Sequence, residues 1–310
     1  MTTQRIYTKQ ALSITEQIDV LKKRGLNIPD ESLAEKILGE VSYFRFIQYL
    51  RPMEMDSATH KFKPDSNFED ALALYNFDTE LRDLIFKAVN RLEIALRTKI
   101  IHEFSTCHGP FWFADKFLSK DDTHFLENKT AIEKEINRSN EDFVLEFFLK
   151  YDDPAFPPAW KTMELASLGT LSKIYYNFKD KKCKKNIARE FNIPQHIVLE
   201  SWMHLLSIIR NCCAHHARIW NRTFPNAPKM NVSLRGAWIN TEEITNSNKY
   251  KIYPILCCIA YWLDSLDYGK AFKDSLRNLF TEYPQADPHA MGFPKDWQLQ
   301  PLWRKSPYYK

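Results

Sequence analysis

Apolar residues recur along most of this chain at spacings of three and four, the repeat that gathers side chains on one face of an α-helix. The longest run extends from Asn67 to about Phe104. There Leu74, Phe77, Leu81, Leu84, Ile85, Ala88, Leu92, Ala95 and Leu96 share a face, and neither glycine nor proline interrupts. Before it, Thr8 to Arg24 carries Leu12, Ile14, Ile18 and Leu21 and stops at Gly25, and Asp30 to Ser42 opens on an N-cap-like aspartate. Residues 41–50 are aromatic and β-branched and read as a further helix. Residues 51–66, with Pro52 and Pro64, read as a loop or small hairpin.

Beyond Gly109-Pro110 the pattern predicts helices at about Thr123 to Asn137 and Asp142 to Tyr151, and at Trp160 to Tyr176 with a break at Gly169. It continues with helices from Ile187 to Phe191, Gln195 to about Trp220, Tyr253 to Asp267 and Phe272 to Phe280. Residues 229–247 read as irregular. The proline- and tryptophan-bearing tail from Pro284 reads as an extended surface strap. The expected organisation is all-α: an N-terminal helical region over 1–63, a helical core over 64–285 and an extended tail over 286–310.

Composition narrows this picture. Seven glycines in 310 residues, with no Gly-rich phosphate loop, argue against a nucleotide-binding α/β fold. A net charge of +4 is too small for a protein that coats nucleic acid by charge alone, so any such contact must be local. The cysteines Cys107, Cys183, Cys212, Cys213, Cys257 and Cys258 show neither zinc-site spacing nor a disulfide framework, and are expected to be reduced, buried thiols. With no signal-like or membrane-length apolar run, a soluble cytoplasmic protein without membrane contact is expected. The lysine-rich run Lys179 to Lys185 reads either as a solvated loop or as an RNA-backbone contact.

One segment concentrates chemistry: Arg210-Asn211-Cys212-Cys213-Ala214-His215-His216-Ala217-Arg218-Ile219-Trp220-Asn221-Arg222. Projected on a continuous helix, Asn211, His215, Arg218 and Arg222 form one polar stripe, while His216 falls in the apolar arc with the cysteines and is expected in the core. Arg210 lies about 140° away from His215 in that projection. Either its long side chain bends round, or the site combines two copies of the helix across a two-fold axis. Histidine and arginine suffice for metal-free RNA cleavage, as acid or base and as phosphate clamp. Glu93 and Arg97, four residues apart on the long helix, read as a structural ion pair or as supports of the same pocket. No metal is expected: His215 and His216 diverge, His102 and His108 stand alone, and there is no His-Glu-x-x-His pattern. Nothing resembles a serine or cysteine hydrolase elbow.

The segment resembles the Arg-Asn-x-x-Ala-His-His-x-Arg-Leu-Trp-Asn-Arg signature of the Abi-like (AbiD/AbiF-type) family of bacterial abortive-infection proteins, in the HEPN superfamily of helical ribonucleases. Shorter blocks agree: Lys23 to Ile28 with Tyr43 to Phe46, Leu74 to Asp78 with Leu81-Arg82, Arg91 to Arg97, and Pro158 to Trp160 with Glu164 and Ser167 to Gly169. Ile219 stands where Leu is usual, and Phe46 likewise.

The resemblance implies a HEPN-type helical bundle with an N-terminal helical extension and additional C-terminal helices. It implies an endoribonuclease for phage defence or a toxin-antitoxin system, with Arg210, Asn211 and His215 catalytic and Arg218, Arg222, His216, Glu93 and Arg97 supporting or binding RNA. It also implies a homodimer, and RNA as substrate and as restraining antitoxin. No cofactor is implied. The competing expectation is a non-catalytic scaffold that holds a small regulatory RNA.

Overall fold

The computed structural model describes residue 8, residues 10–56 and residues 58–304. Over those residues the chain is mostly helical, with twelve α-helices and 63% of residues in helix. The only strands there are a two-stranded antiparallel hairpin, β1 (Glu54–Asp56) and β2 (Lys61–Phe62). The all-α expectation is met, and the hairpin occupies the segment expected to turn. Among the described residues no helix is long and apolar enough to cross a membrane. Lys9, in the expected first helix, and residues 305–310 of the expected tail lie outside the described residues.

The chain forms two compact units. The first comprises residues 1–79 with 282–286. It holds α1 (Ile14–Lys23), α2 (Glu31–Val41), α3 (Tyr43–Leu50), the hairpin and the start of α4 (Phe68–His108). Helix α1 begins later than the periodicity suggests because Ser13 and Glu16 form a reciprocal capping box, each side chain satisfying an orphan N–H. Gly25, at φ 93°, ends the helix in a conformation that suits glycine. Phe46 stacks on Phe68 with ring centres 4.6 Å apart, and Tyr49 Oη donates a buried hydrogen bond of 2.6 Å to Asp78.

The second unit comprises residues 80–281 with 287–310. It contains the rest of α4 and α5 (Asp122–Arg138), α6 (Asp142–Lys150), α7 (Ala159–Leu165), α8 (Leu168–Asn177), α9 (Lys181–Glu190), α10 (His196–Ala214), α11 (Ile252–Asp264) and α12 (Gly269–Glu282, whose last residue belongs to the first unit). The break expected at Gly169 falls at Ala166 and Ser167 instead, where the Ser167 hydroxyl caps α8 by accepting from Thr170 N–H at 3.1 Å. Helix α10 packs against α8, α9 and α11. Helix α11 is buried from Ile252 to Leu263, which explains why its sequence is apolar on every side rather than in a stripe. The expected C-terminal strap is corrected. Residues 289–291 and 297–299 form 3₁₀ turns, and Phe293, Trp297 and Trp303 pack in the core, with Tyr253 of α11 4.6 Å from Phe293.

The lysine-rich run is also corrected. It is not a solvated loop but the first half of α9, capped by Asp180, and Lys184 is fully buried. Its ammonium donates to the carbonyls of Tyr176 and Phe178 and pairs with Glu200 of α10, which Lys120 approaches at 3.7 Å. Burial pulls the Lys184 pKa down to about 8 from 10.5; Lys120 adds to this effect and Glu200 opposes it. An unfolded lysine holds its proton to about pH 10.5, so between pH 8 and that value the unfolded chain binds more protons, and this group's contribution to stability rises with pH. In urea denaturation, Glu200→Gln, which strands a buried ammonium, should cost about 3 kcal/mol or more at pH 7. Lys184→Met should cost clearly less and should abolish the rise between pH 8 and 10.5.

Candidate functional site at the end of α10

Leu205, Leu206, Ile209, Cys212 and Cys213 are buried along α10, as the apolar arc requires. Asn211 is exposed one turn before the helix ends, and His215 is exposed at its C-cap. The expected continuation to Trp220 is corrected: the helix stops at Ala214. His216 takes φ 53°, its N–H donates to Cys213 O at 3.0 Å, and Ala217 N–H donates to Cys212 O at 2.8 Å. These paired bonds are the Schellman ending, with histidine in the left-handed seat that glycine usually fills. The physical reason for the stop lies downstream. Ile219 and Trp220 are both buried, and reversing the chain after Ala214 returns them to the core.

His216 is consequently exposed rather than a core residue, and Arg218 and Arg222 no longer continue the Asn211–His215 stripe. Instead they share the turn with Asn221, which sits at φ 48° and accepts from Lys251 Nζ at 2.9 Å. Burial, and then the Arg218 charge, depress the Lys251 pKa, while Arg222 partly offsets the effect of burial that raises the Cys212 thiol. The Arg222 guanidinium lies 5.7 Å from the centre of the Phe224 ring. Sequence reasoning missed Lys251, thirty residues beyond Asn221; the only available signal was its place just before the all-apolar α11.

Arg210 does not point away from its own chain. Its Nε lies 4.0 Å from a carboxylate oxygen of Glu93 on α4, and its guanidinium donates to Asn211 Oδ1 at 3.4 Å. The other Glu93 oxygen accepts from Arg97 at 2.8 Å. Arg97 is buried and also donates to the carbonyls of Met163 and Ala166 at the end of α7. Glu93 therefore couples the motif to the α4–α7 junction, and Arg97 positions that carboxylate rather than presenting a free cation.

Cys107 is exposed, correcting the expectation that all six thiols are buried; the other five are buried, and all six are free. A cavity of about 430 Å³ between α5, α8 and α10, lined in part by His124, Tyr176, Ser201 and His204, includes none of the motif residues.

Arg97→Lys cannot serve the carboxylate and both carbonyls together, and should lower the unfolding free energy by about 2–4 kcal/mol in chemical denaturation. His216→Gly removes the imidazole but relieves a left-handed side-chain position; it should keep the wild-type stability or raise it by up to about 1 kcal/mol.

Residues 36–221 match the family described as Abi-like protein. Comparison with curated proteins and with solved structures finds no match. The matched stretch covers more than half of the chain and runs from α2 through the end of α10 to Asn221. The chain belongs to the Abi-like protein family, and that membership supports a role in abortive infection.

Proposed function

We propose that the chain is a HEPN-type endoribonuclease of an abortive-infection or toxin-antitoxin system. It cleaves RNA without a catalytic metal to leave a 2′,3′-cyclic phosphate and a 5′-hydroxyl. The observation that carries this reading is the exposed pair Asn211 and His215 at the end of α10, beside an arginine held by Glu93. His215 takes the proton from the 2′-hydroxyl; the 2′-oxygen forms a bond to phosphorus as the bond to the 5′-oxygen breaks, and an acid returns a proton to that oxygen. Arg210 clamps the phosphate while Asn211 orients it. Arg218, Arg222 and Lys251 supply positive charge to the RNA backbone, and His216 is a second exposed imidazole at the same turn.

One histidine cannot be base and acid in the same step, so a second proton donor is needed, and an imidazole suits that role. A homodimer that brings two α10 ends together supplies it as His215 of the other copy; within one chain His216 would. The basic turn also suits the alternative reading, a scaffold that holds a small regulatory RNA without cutting it.

RNA incubated with the full chain, without added divalent cation, should acquire cyclic-phosphate ends. The rate should fall at least a hundredfold in His215→Ala, and retained cleavage in that variant would remove the assignment. RNA bound by the wild type but never cut would favour the scaffold. If two copies share each site through their His215 side chains, an equal mixture of wild type and His215→Ala with subunits exchanged should show roughly a quarter of the rate of the same amount of wild type, because only a quarter of the dimers keep both imidazoles. Roughly half of that rate would place the site within one chain.

A further inference from the structure

Away from the motif, the last turn of α4 meets the first turn of α9, and three different donor atoms converge there. His108 Nε2 lies 3.0 Å from Asp180 Oδ2, Cys183 Sγ lies 3.2 Å from the same oxygen, and Cys183 Sγ lies 3.9 Å from His108 Nε2. We propose that this junction binds one zinc ion through His108 Nε2, Asp180 Oδ2 and Cys183 Sγ, as a structural clamp between α4 and α9.

The geometry fits the ion. The point equidistant from the three donors lies about 2.0 Å from each, and a small displacement out of their plane reaches the ~2.0–2.3 Å bonds zinc makes to nitrogen, oxygen and sulfur. The donor set selects the metal class. A thiol with an imidazole and a single carboxylate oxygen suits zinc, whereas magnesium and calcium take oxygen alone. The fourth position has a neighbour ready, since the Cys107 thiol and a Glu103 carboxylate oxygen both lie within 4.8 Å of Cys183 Sγ.

The surroundings orient the donors. Asp180 divides its carboxylate: Oδ1 accepts from the N–H groups of Lys182 at 2.7 Å and Cys183 at 3.3 Å, which caps α9 and leaves Oδ2 turned to the other donors. The His108 ring stands edge-on to Phe178 at 5.4 Å, and Asn186 donates to Glu103 Oε1 at 2.7 Å. Cys183 is buried, so zinc entering from the Cys107 side would be shielded from solvent on the α9 side. The sequence concealed the cluster because His108 lies 72 and 75 residues from Asp180 and Cys183, so the three-residue spacing of that pair has no visible third ligand beside it. This site is independent of the ribonuclease reading.

Untagged full-length chain, equilibrated with zinc and dialysed against metal-free buffer, should retain about one zinc per chain by elemental analysis. Cobalt in its place should give the near-ultraviolet band of a thiolate-to-metal transition. Asp180→Asn, which preserves the α9 cap, should weaken zinc affinity at least tenfold; Cys183→Ser should also weaken the cobalt band, and Cys183→Ser with Cys107→Ser should abolish it. If Cys183→Ser fails to fold by circular dichroism, His108→Gln serves instead and should show the same loss of zinc. His215→Ala with His216→Ala should keep the full zinc content. A wild-type chain that retains no zinc and shows no thiolate band would overturn the proposal, as would a band that survives Cys183→Ser combined with Cys107→Ser or zinc lost only when His215 and His216 are removed.

Discussion

A charge taken out of water must be met by an opposite charge or by hydrogen bonds, and the second unit is organised around that requirement. Helix α10 is tied near both ends by carboxylates. Glu200 in its second turn neutralises the buried ammonium of Lys184, and Glu93 on α4 faces Arg210 in its last turn. Glu93 is itself held by Arg97, whose remaining donors close the free carbonyls at the end of α7. Neither lock is a large gain over an apolar alternative. What each supplies is register: α10 cannot slide or rotate against α9 without stranding the buried Lys184, nor against α4 without separating Arg210 from Glu93.

Much of this was legible in the sequence. The three-and-four repeat located the helices because each buries one face, and the density of histidine, arginine and asparagine marked the end of α10. The Glu93–Arg97 spacing was legible for the same reason. What the repeat cannot encode is where a helix yields to its surroundings. Two residues ahead of Trp220 and four ahead of Arg222, Arg218 looked like the next polar position, but burial of Ile219 and Trp220 required the chain to reverse. A glycine at position 216 would have announced that reversal; a histidine hides it.

Tertiary pairing hides in the same way. Lys184 lies in a lysine-rich run that reads as solvated, yet it is the one lysine of that run in the core, because Glu200 and two carbonyls meet it there. Lys251 joins the turn from beyond an irregular connection, and His108 finds Asp180 beyond the intervening α5, α6, α7 and α8. Periodicity reports one element at a time, whereas each of these contacts belongs to two.

The left-handed His216 has a consequence for how the turn is maintained. A Schellman ending fixes the directions in which residues 215 and 216 leave the backbone, so rotamer choice moves the two imidazoles only within a range set when the helix ends. The backbone entropy of that arrangement is lost during folding, before any ligand binds. Helix ends are also where native chains open first. The lifetime of the arrangement is therefore that of two backbone hydrogen bonds, from His216 and Ala217, and local fraying would disperse the imidazoles while every helix of the bundle stays in place.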